Sequence, residues 1–141
     1  MKRWSKLQKE LYLIIDSEID FQVHCASYPV GAYGDTIPRY WITLGKEIIF
    51  DYPKQFVLSE WHICYPFETV VPKVSGLIRE YIDTPVSEIM IKHFEHDSWE
   101  LTDIFRAADR RIGQRRLGLL QQATKNQAVQ KILALRMKDS N

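Results

Sequence analysis

An arginine run is the strongest concentration of chemically active side chains in the chain. It comprises Arg106, Arg110, Arg111, Arg115 and Arg116, within eleven residues and largely at helical spacing. Guanidinium groups arranged in this way bind phosphates or carboxylates through paired hydrogen bonds. Asp103 and Asp109 lie among the arginines and can pair with some of them. The run therefore predicts either a surface that binds nucleic acid or protein, or a helix face held by internal ion pairs.

A second cluster has side chains of the types that bind metal ions: His93, Glu95, His96 and Asp97. Histidines three residues apart on a helix lie on one side of it. The chain lacks His-Glu-x-x-His, in which two histidines frame a catalytic glutamate. The cluster also falls at a predicted helix end, where the helix dipole favours cations. We therefore predict no metal ion and no other cofactor.

Two cysteine–histidine pairs are the candidates for nucleophilic chemistry. Cys25 follows His24, and Cys64 lies two residues after His62. Strand alternation places His24 and Cys25 on opposite faces, and a buried cysteine is usually inert. The chain contains no glycine-rich phosphate loop and no Gly-x-Ser-x-Gly motif. An enzyme without a recognisable motif remains an alternative that these residues do not favour.

Aromatic side chains concentrate around a predicted β-hairpin. Residues 39–52 contain two strand-like segments that flank Gly45-Lys46, and glycine at the first central position is typical of a type II′ turn. In the register that this turn sets, Trp41 lies opposite Phe50 and shares a face with Tyr52. The hairpin therefore predicts an aromatic face that contacts a ligand, another protein or a second subunit, or that completes the core.

The elements around these residues predict an α+β fold. Helical spacing of apolar residues predicts a helix over 3–15, and alternation from Ile19 predicts a strand that ends in a loop over 29–38. The aromatic stretch 61–65 is a candidate fourth strand. We expect an N-terminal helix, an antiparallel sheet of three or four strands and a helical C-terminal half packed on one sheet face.

Two threonines mark the expected starts of helices in the second half. Thr84-Pro85 is typical of an N-cap followed by proline at the first helical position, which predicts a short helix to about Phe94. Thr102 is the predicted N-cap of the next helix, with Asp103 in its first turn.

Length, composition and charge suggest one ordinary domain. The 141 residues are 45% hydrophobic and 26% charged, which is typical of a single globular domain over 1–141, and no segment resembles a signal peptide or a membrane span. Residues 1–100 carry 10 Lys and Arg against 15 Asp and Glu, whereas residues 101–141 carry 9 against 3. This split predicts either a surface for a charged partner or attraction between two parts of one domain.

Four segments carry a resemblance to known proteins. They are Lys2–Leu11, the Arg39–Tyr52 hairpin with the following Pro53, Leu77–Pro85 and Ala107–Leu117. These segments resemble a family of small uncharacterised bacterial proteins, conserved hypothetical proteins of enterobacteria and their relatives. The resemblance implies a bacterial cytoplasmic protein of this length, without an assigned activity, cofactor or catalytic residue. Immunity proteins of contact-dependent toxins are an analogy by size only.

The expected function is non-enzymatic binding of another protein in the cytoplasm, with an inhibitor or immunity-type protein as the specific case. The candidate contact residues are Trp41, Phe50 and Tyr52 of the hairpin, and Arg106, Arg110, Arg111 and Arg115 of the arginine run. Nucleic-acid binding through the arginines of 106–116 is the alternative, and a homodimer is an alternative assembly. No membrane partner is expected.

Overall fold

The computed structural model describes residues 4–30, 35–52, 71–95, 97 and 100–137. Within these ranges the helices are α1 (Trp4–Tyr12), α2 (Val71–Asp83), α3 (Leu101–Ala108), α4 (Gln114–Ala123) and α5 (Gln127–Arg136). The strands are β1 (Phe21–Val30), β2 (Asp35–Leu44) and β3 (Glu47–Tyr52). This order confirms the predicted α+β fold, with an N-terminal helix, an antiparallel sheet and four C-terminal helices. The candidate fourth strand at 61–65 lies outside the described residues.

The sheet is antiparallel in the order β1-β2-β3, and its first two strands are longer than expected. The loop predicted over 29–38 is wrong at both ends, because Pro29 pairs with Thr36 and Pro38 pairs with Ser27. Proline is tolerated at a sheet edge, where its missing N–H is not required by a second neighbour. β1 is an edge strand of this sheet, and β3 pairs with β2 only from Tyr40 to Leu44. Both prolines therefore lie outside the doubly paired part of the sheet.

The hairpin has its predicted turn but not its predicted register. A type II′ turn requires positive φ at its first central residue and negative φ at its second. Gly45 has φ +62°. Lys46 has negative φ, since Glu100 is the one non-glycine residue with positive φ in the described ranges. A β-bulge then shifts the pairing, so that Trp41 lies opposite Asp51 rather than Phe50. One extra residue moves the following side chains to the other face. Phe50 therefore lies opposite Ile42 and packs against the core.

One hydrophobic cluster joins the inner face of the sheet to the helices. Its largest fully buried side chains are Leu11, Ile42, Ile78, Tyr81, Ile89, Leu101, Ile104, Phe105, Ile112, Leu117 and Ile132. Each such side chain contributes roughly 1.5–3 kcal/mol of transfer free energy when it leaves water. The Tyr40 hydroxyl also hydrogen-bonds Ser75, which ties β2 to α2. Burial therefore fixes which sheet face meets the helices.

The segment between α2 and α3 differs from the sequence prediction. Thr84 donates its hydroxyl back to the Glu80 carbonyl in α2 (2.7 Å), so it does not cap a new helix. Residues 86–91 form successive turns, and the predicted helix to Phe94 is absent from this described segment. Thr102 is not an N-cap either, because the Asp97 carboxylate accepts from the backbone N–H groups of Leu101 (2.9 Å) and Thr102 (2.8 Å). The carboxylate of Asp97, five residues before Thr102, thus supplies the cap that the prediction assigned to Thr102.

Candidate binding cleft

The guanidinium group of Arg106, in the arginine run, is hydrogen-bonded to groups of this chain. Its guanidinium donates to the backbone carbonyls of Ile89 (2.9 Å) and Lys92 (2.8 Å) and to the Asp103 carboxylate (2.6 Å). Only 11% of its side chain is exposed. Arg106 therefore fastens residues 86–92 to α3, and the predicted pairing of Asp103 with an arginine of the run is confirmed.

Arg111 is held by a fully buried carboxylate. It donates to Asp109 from Nε (3.0 Å) and from Nη2 (2.7 Å), while the Tyr81 hydroxyl donates to the same carboxylate (2.8 Å). Hydrogen bonding to Asp109 raises the pKa of Arg111, and burial followed by the charge of Asp109 raises the pKa of Tyr81 well above its usual value. This network is internal, as the ion-pair alternative for the run predicts.

Arg110 and Arg115 are the exposed members of the four predicted contact arginines. Nε of Arg110 donates to the Leu13 carbonyl (2.6 Å), so this side chain is held against the end of α1. Arg115 makes no ion pair or hydrogen bond through its side chain within the described ranges. Of the four predicted contact arginines, Arg106, Arg110 and Arg111 therefore bond to other parts of the chain.

The three predicted hairpin contacts do not share a face. Phe50 and Tyr52 pack against the core, whereas Trp41 lies on the opposite face of the sheet. The Trp41 ring stacks on His24 (4.9 Å between ring centroids), and Cζ of Arg39 lies 4.4 Å from the Trp41 ring centroid. Burial lowers the pKa of His24 below its usual value of 6.5, and the positive charge of Arg39 lowers this pKa further. The structure therefore separates the predicted aromatic surface into one outward and two inward side chains.

The candidate cysteine and metal-binding residues do not form a common site within the described ranges. Cys25 packs against the core on the face opposite His24, and burial raises the pKa of its thiol. His93 and Glu95 are exposed, and Asp97 caps α3. In the part of the chain that the structure describes, no group of three or more His, Cys, Asp or Glu side chains is arranged to hold a metal ion. His62, Cys64 and His96 lie outside the described residues.

A cleft of about 820 Å³ lies between the β2–β3 turn and α5. It is lined by Asp16, Glu18, Ile19, Asp20, Leu44, Gly45, Glu47, Gln114, Lys131, Ala134, Leu135 and Arg136. Four of these residues carry carboxylates and two carry cations, and Ile19, Leu44 and Leu135 supply an aliphatic surface. Its volume falls within the usual range of ligand sites, about 300–1,000 Å³.

Backbone hydrogen bonds fix the acidic wall of this cleft. The Asp16 N–H donates to the Ala108 carbonyl (2.8 Å), and the Arg110 N–H donates to the Ile14 carbonyl (2.7 Å). The Gly45 N–H donates to the Asp20 carbonyl (2.8 Å), which ties the β2–β3 turn to the start of β1. The segment 16–20 is therefore anchored at both ends.

Arg136 joins the other wall to the same segment. Its guanidinium donates to the Asp16 carboxylate (3.0 Å) and to the carbonyls of Ala107 (3.2 Å), Asp109 (2.7 Å) and Ile112 (3.1 Å). Its side chain is 7% exposed. Ala107 lies in the last turn of α3, where carbonyls lack helical partners, and Asp109 and Ile112 lie in the connection to α4. Arg136 therefore sets the position of α5 relative to the carboxylates.

The charges of the cleft do not cancel. Arg136 pairs with Asp16, and Lys131 pairs with Glu47. Both ion pairs join the basic C-terminal part to the acidic first part, as the internal-attraction alternative predicts. The exposed carboxylates of Glu18 and Asp20 have no ion pair within the described ranges. Two negative charges therefore remain uncompensated at the rim of the cleft.

Sequence reasoning did not identify this cleft, because its parts are distant in the chain. Residues 16–20, 44–47 and 131–136 meet only after the sheet and α5 have packed. The uneven distribution of charge along the sequence indicates that oppositely charged parts can attract each other, but it does not identify which residues form a cleft. No helix within the described ranges is long and apolar enough to cross a membrane.

Comparison with known proteins places the chain in a family. The SF0329 protein family matches residues 3–68 and 72–137, which together include every residue that lines the cleft. No curated protein and no solved structure matches the chain. The family takes its name from a Shigella flexneri locus, which agrees with the enterobacterial resemblance of the sequence. The chain belongs to the SF0329 protein family.

Proposed function

We propose that this protein is a non-enzymatic cytoplasmic binding protein that holds a basic segment of a partner protein in the cleft. The observation that carries the proposal is the combination of two uncompensated carboxylates, Glu18 and Asp20, with an aliphatic surface in one cavity. Such a cavity complements a segment in which lysine or arginine alternates with aliphatic residues. Charge complementarity of this kind favours rapid association and selects against acidic partners.

The aliphatic part of the cleft contributes affinity that charge alone does not. Leu135 is 46% exposed, although it is a large apolar side chain on a folded helix. A partner that covers it removes apolar surface from water, at roughly 25 cal/mol per Å². Ile19 and Leu44, which are partly buried, extend the same surface. A purely ionic ligand would leave this surface exposed, whereas an amphipathic peptide segment would cover it.

The walls of the cleft are ordered before a partner arrives. Asp16 is fixed by its backbone bond to Ala108 and by its ion pair with Arg136, and the turn at Gly45 is bonded to Asp20. A preorganised site loses little conformational entropy on binding. Within this class, an inhibitor or immunity-type role is the specific case, because a basic segment covered by the cleft is withheld from that partner's own substrate.

The positions of the arginines do not favour nucleic acid as the partner. Arg106 and Arg111 donate to groups of this chain, and a phosphate ligand would have to displace those acceptors. The exposed carboxylates Glu18 and Asp20 repel phosphates at the rim of the cleft. Nucleic-acid binding would therefore depend on Arg110 and Arg115 together with surface lysines.

Site-specific photo-crosslinking in the host bacterium tests the proposal. A photoreactive residue at position 135, inside the cleft, is compared with one at position 119, an exposed leucine outside it. We expect capture of one partner from position 135, through a segment rich in lysine or arginine. If the captured partner loses its activity when it binds this protein, that result would support the inhibitor role.

Charge variants provide the matched control for this experiment. E18Q/D20N removes the two rim carboxylates and should abolish capture from position 135. E88Q/E95Q removes two exposed carboxylates outside the cleft and should leave it intact. Equal capture from positions 135 and 119 would show that the cleft is not the binding site. Capture from position 135 that survives E18Q/D20N would show that the two carboxylates do not bind a basic segment.

A further inference from the structure

The ion pair between Lys131 and Glu47 spans the cleft. Lys131 projects from the middle of α5, and Glu47 begins β3 immediately after the β2–β3 turn. The two side chains are 51% and 50% exposed, in contrast to Arg136, which is almost fully enclosed. The pair thus connects the two walls at the surface, without contributing to the buried network.

We infer that Lys131 is a built-in competitor that occupies one carboxylate of the cleft until a cation of the partner replaces it. This inference rests on the proposed function, since it concerns the regulation of the same site. Exposed ion pairs are weak, so Lys131 can leave Glu47 at little cost. The incoming cation then takes its place, and the number of ion pairs at Glu47 is unchanged.

The exchange makes the cleft selective for partners with several cations. A ligand with one positive charge forms a single ion pair in the cleft, and at Glu47 it merely replaces Lys131. A segment with several lysines or arginines also pairs with Glu18 and Asp20, which have no internal ion pair in the described ranges. The internal pair therefore discriminates against the weaker ligand, as a competing contact does in specific recognition.

Fluorescence anisotropy with a labelled peptide of alternating lysine and leucine tests this inference. A peptide with glutamine in place of lysine is the probe for non-specific binding. We expect K131Q to bind the lysine peptide about two- to fivefold more tightly than the unmodified protein, since it removes an exposed ion pair. K125Q removes an exposed lysine that does not line the cleft, and its affinity should be unchanged. In an E47Q background, the gain from K131Q should shrink.

The possible outcomes distinguish failure of the competitor role from failure of the proposed function. Equal affinity of K131Q and K125Q, with weaker binding by E18Q/D20N, would overturn the competitor role and leave the proposed function standing. Absence of lysine-peptide binding by the unmodified protein and by K131Q would overturn both. Equal binding of the lysine and glutamine peptides would also overturn both. Thermal unfolding of each variant establishes that the compared proteins are folded.

Discussion

Replacement of Arg136 by methionine tests the arrangement that holds the cleft together. The change keeps helix propensity nearly constant but removes the donor to Asp16 and to three carbonyls around the end of α3. Hydrogen bonds to a charged group contribute about 1.5–3 kcal/mol each, although water can reach some of the abandoned acceptors in the open cleft. We therefore expect the free energy of unfolding to fall by about 3–5 kcal/mol, the usual loss when one partner of a buried pair is removed.

Urea unfolding followed by circular dichroism measures this loss. With an m-value of about 2 kcal/mol/M, the midpoint should fall by roughly 2 M. R115M is the matched control, because Arg115 is also helical but exposed and without an ion pair in the described ranges, and its effect should stay within about 0.5 kcal/mol. R136K should lie between the two, since an ammonium keeps the charge but not the planar donors. Equal midpoints for R136M and R115M would refute the role assigned to Arg136.

Three further predictions concern other parts of the fold. R111M should lower the free energy of unfolding by about 2–4 kcal/mol, measured in urea, because it leaves the fully buried Asp109 carboxylate without its cation; a loss below about 0.5 kcal/mol would contradict this. D97A should cost about 1–2 kcal/mol in the same assay, because the first N–H groups of α3 lose their acceptor; an unchanged midpoint would argue against that cap. The folded state lowers the pKa of His24, so it binds fewer protons than the unfolded chain, and stability should fall as the pH drops below about 6.5. H24N should flatten that part of the stability–pH profile, and an unaltered slope would contradict the stated cause.

Periodicity and turn chemistry predicted most of the fold. Alternation from Ile19 placed Phe21 and Val23 on one face, and both are buried. Gly45 identified the hairpin turn, because glycine adopts positive φ without strain. Helical spacing identified α1 through side chains such as Leu7 and Leu11, which are both buried. These features are local, so each could be read from its own segment.

The errors arose where a tertiary contact overrides a local pattern. The bulge in β3 could not be read from the hairpin sequence, since burial of Phe50 against the core decides the register there. Thr84 resembles an N-cap in sequence, but the carbonyl of Glu80 is the acceptor of its hydroxyl. The cleft could not be predicted from the sequence, because its walls come from three segments that are separated along the chain. A sequence pattern specifies neighbours along the chain, whereas a binding cavity is defined by neighbours in space.

The most direct test of the proposed cleft is a titration of the isotopically labelled protein with the lysine–leucine peptide, followed by amide chemical shifts at physiological salt. We expect saturating shifts concentrated in residues 16–20, 44–47 and 131–136. These shifts should disappear in E18Q/D20N. Saturating shifts centred on the outward sheet face around Trp41, or no shifts at any peptide concentration, would contradict the claim that the cleft receives a basic segment.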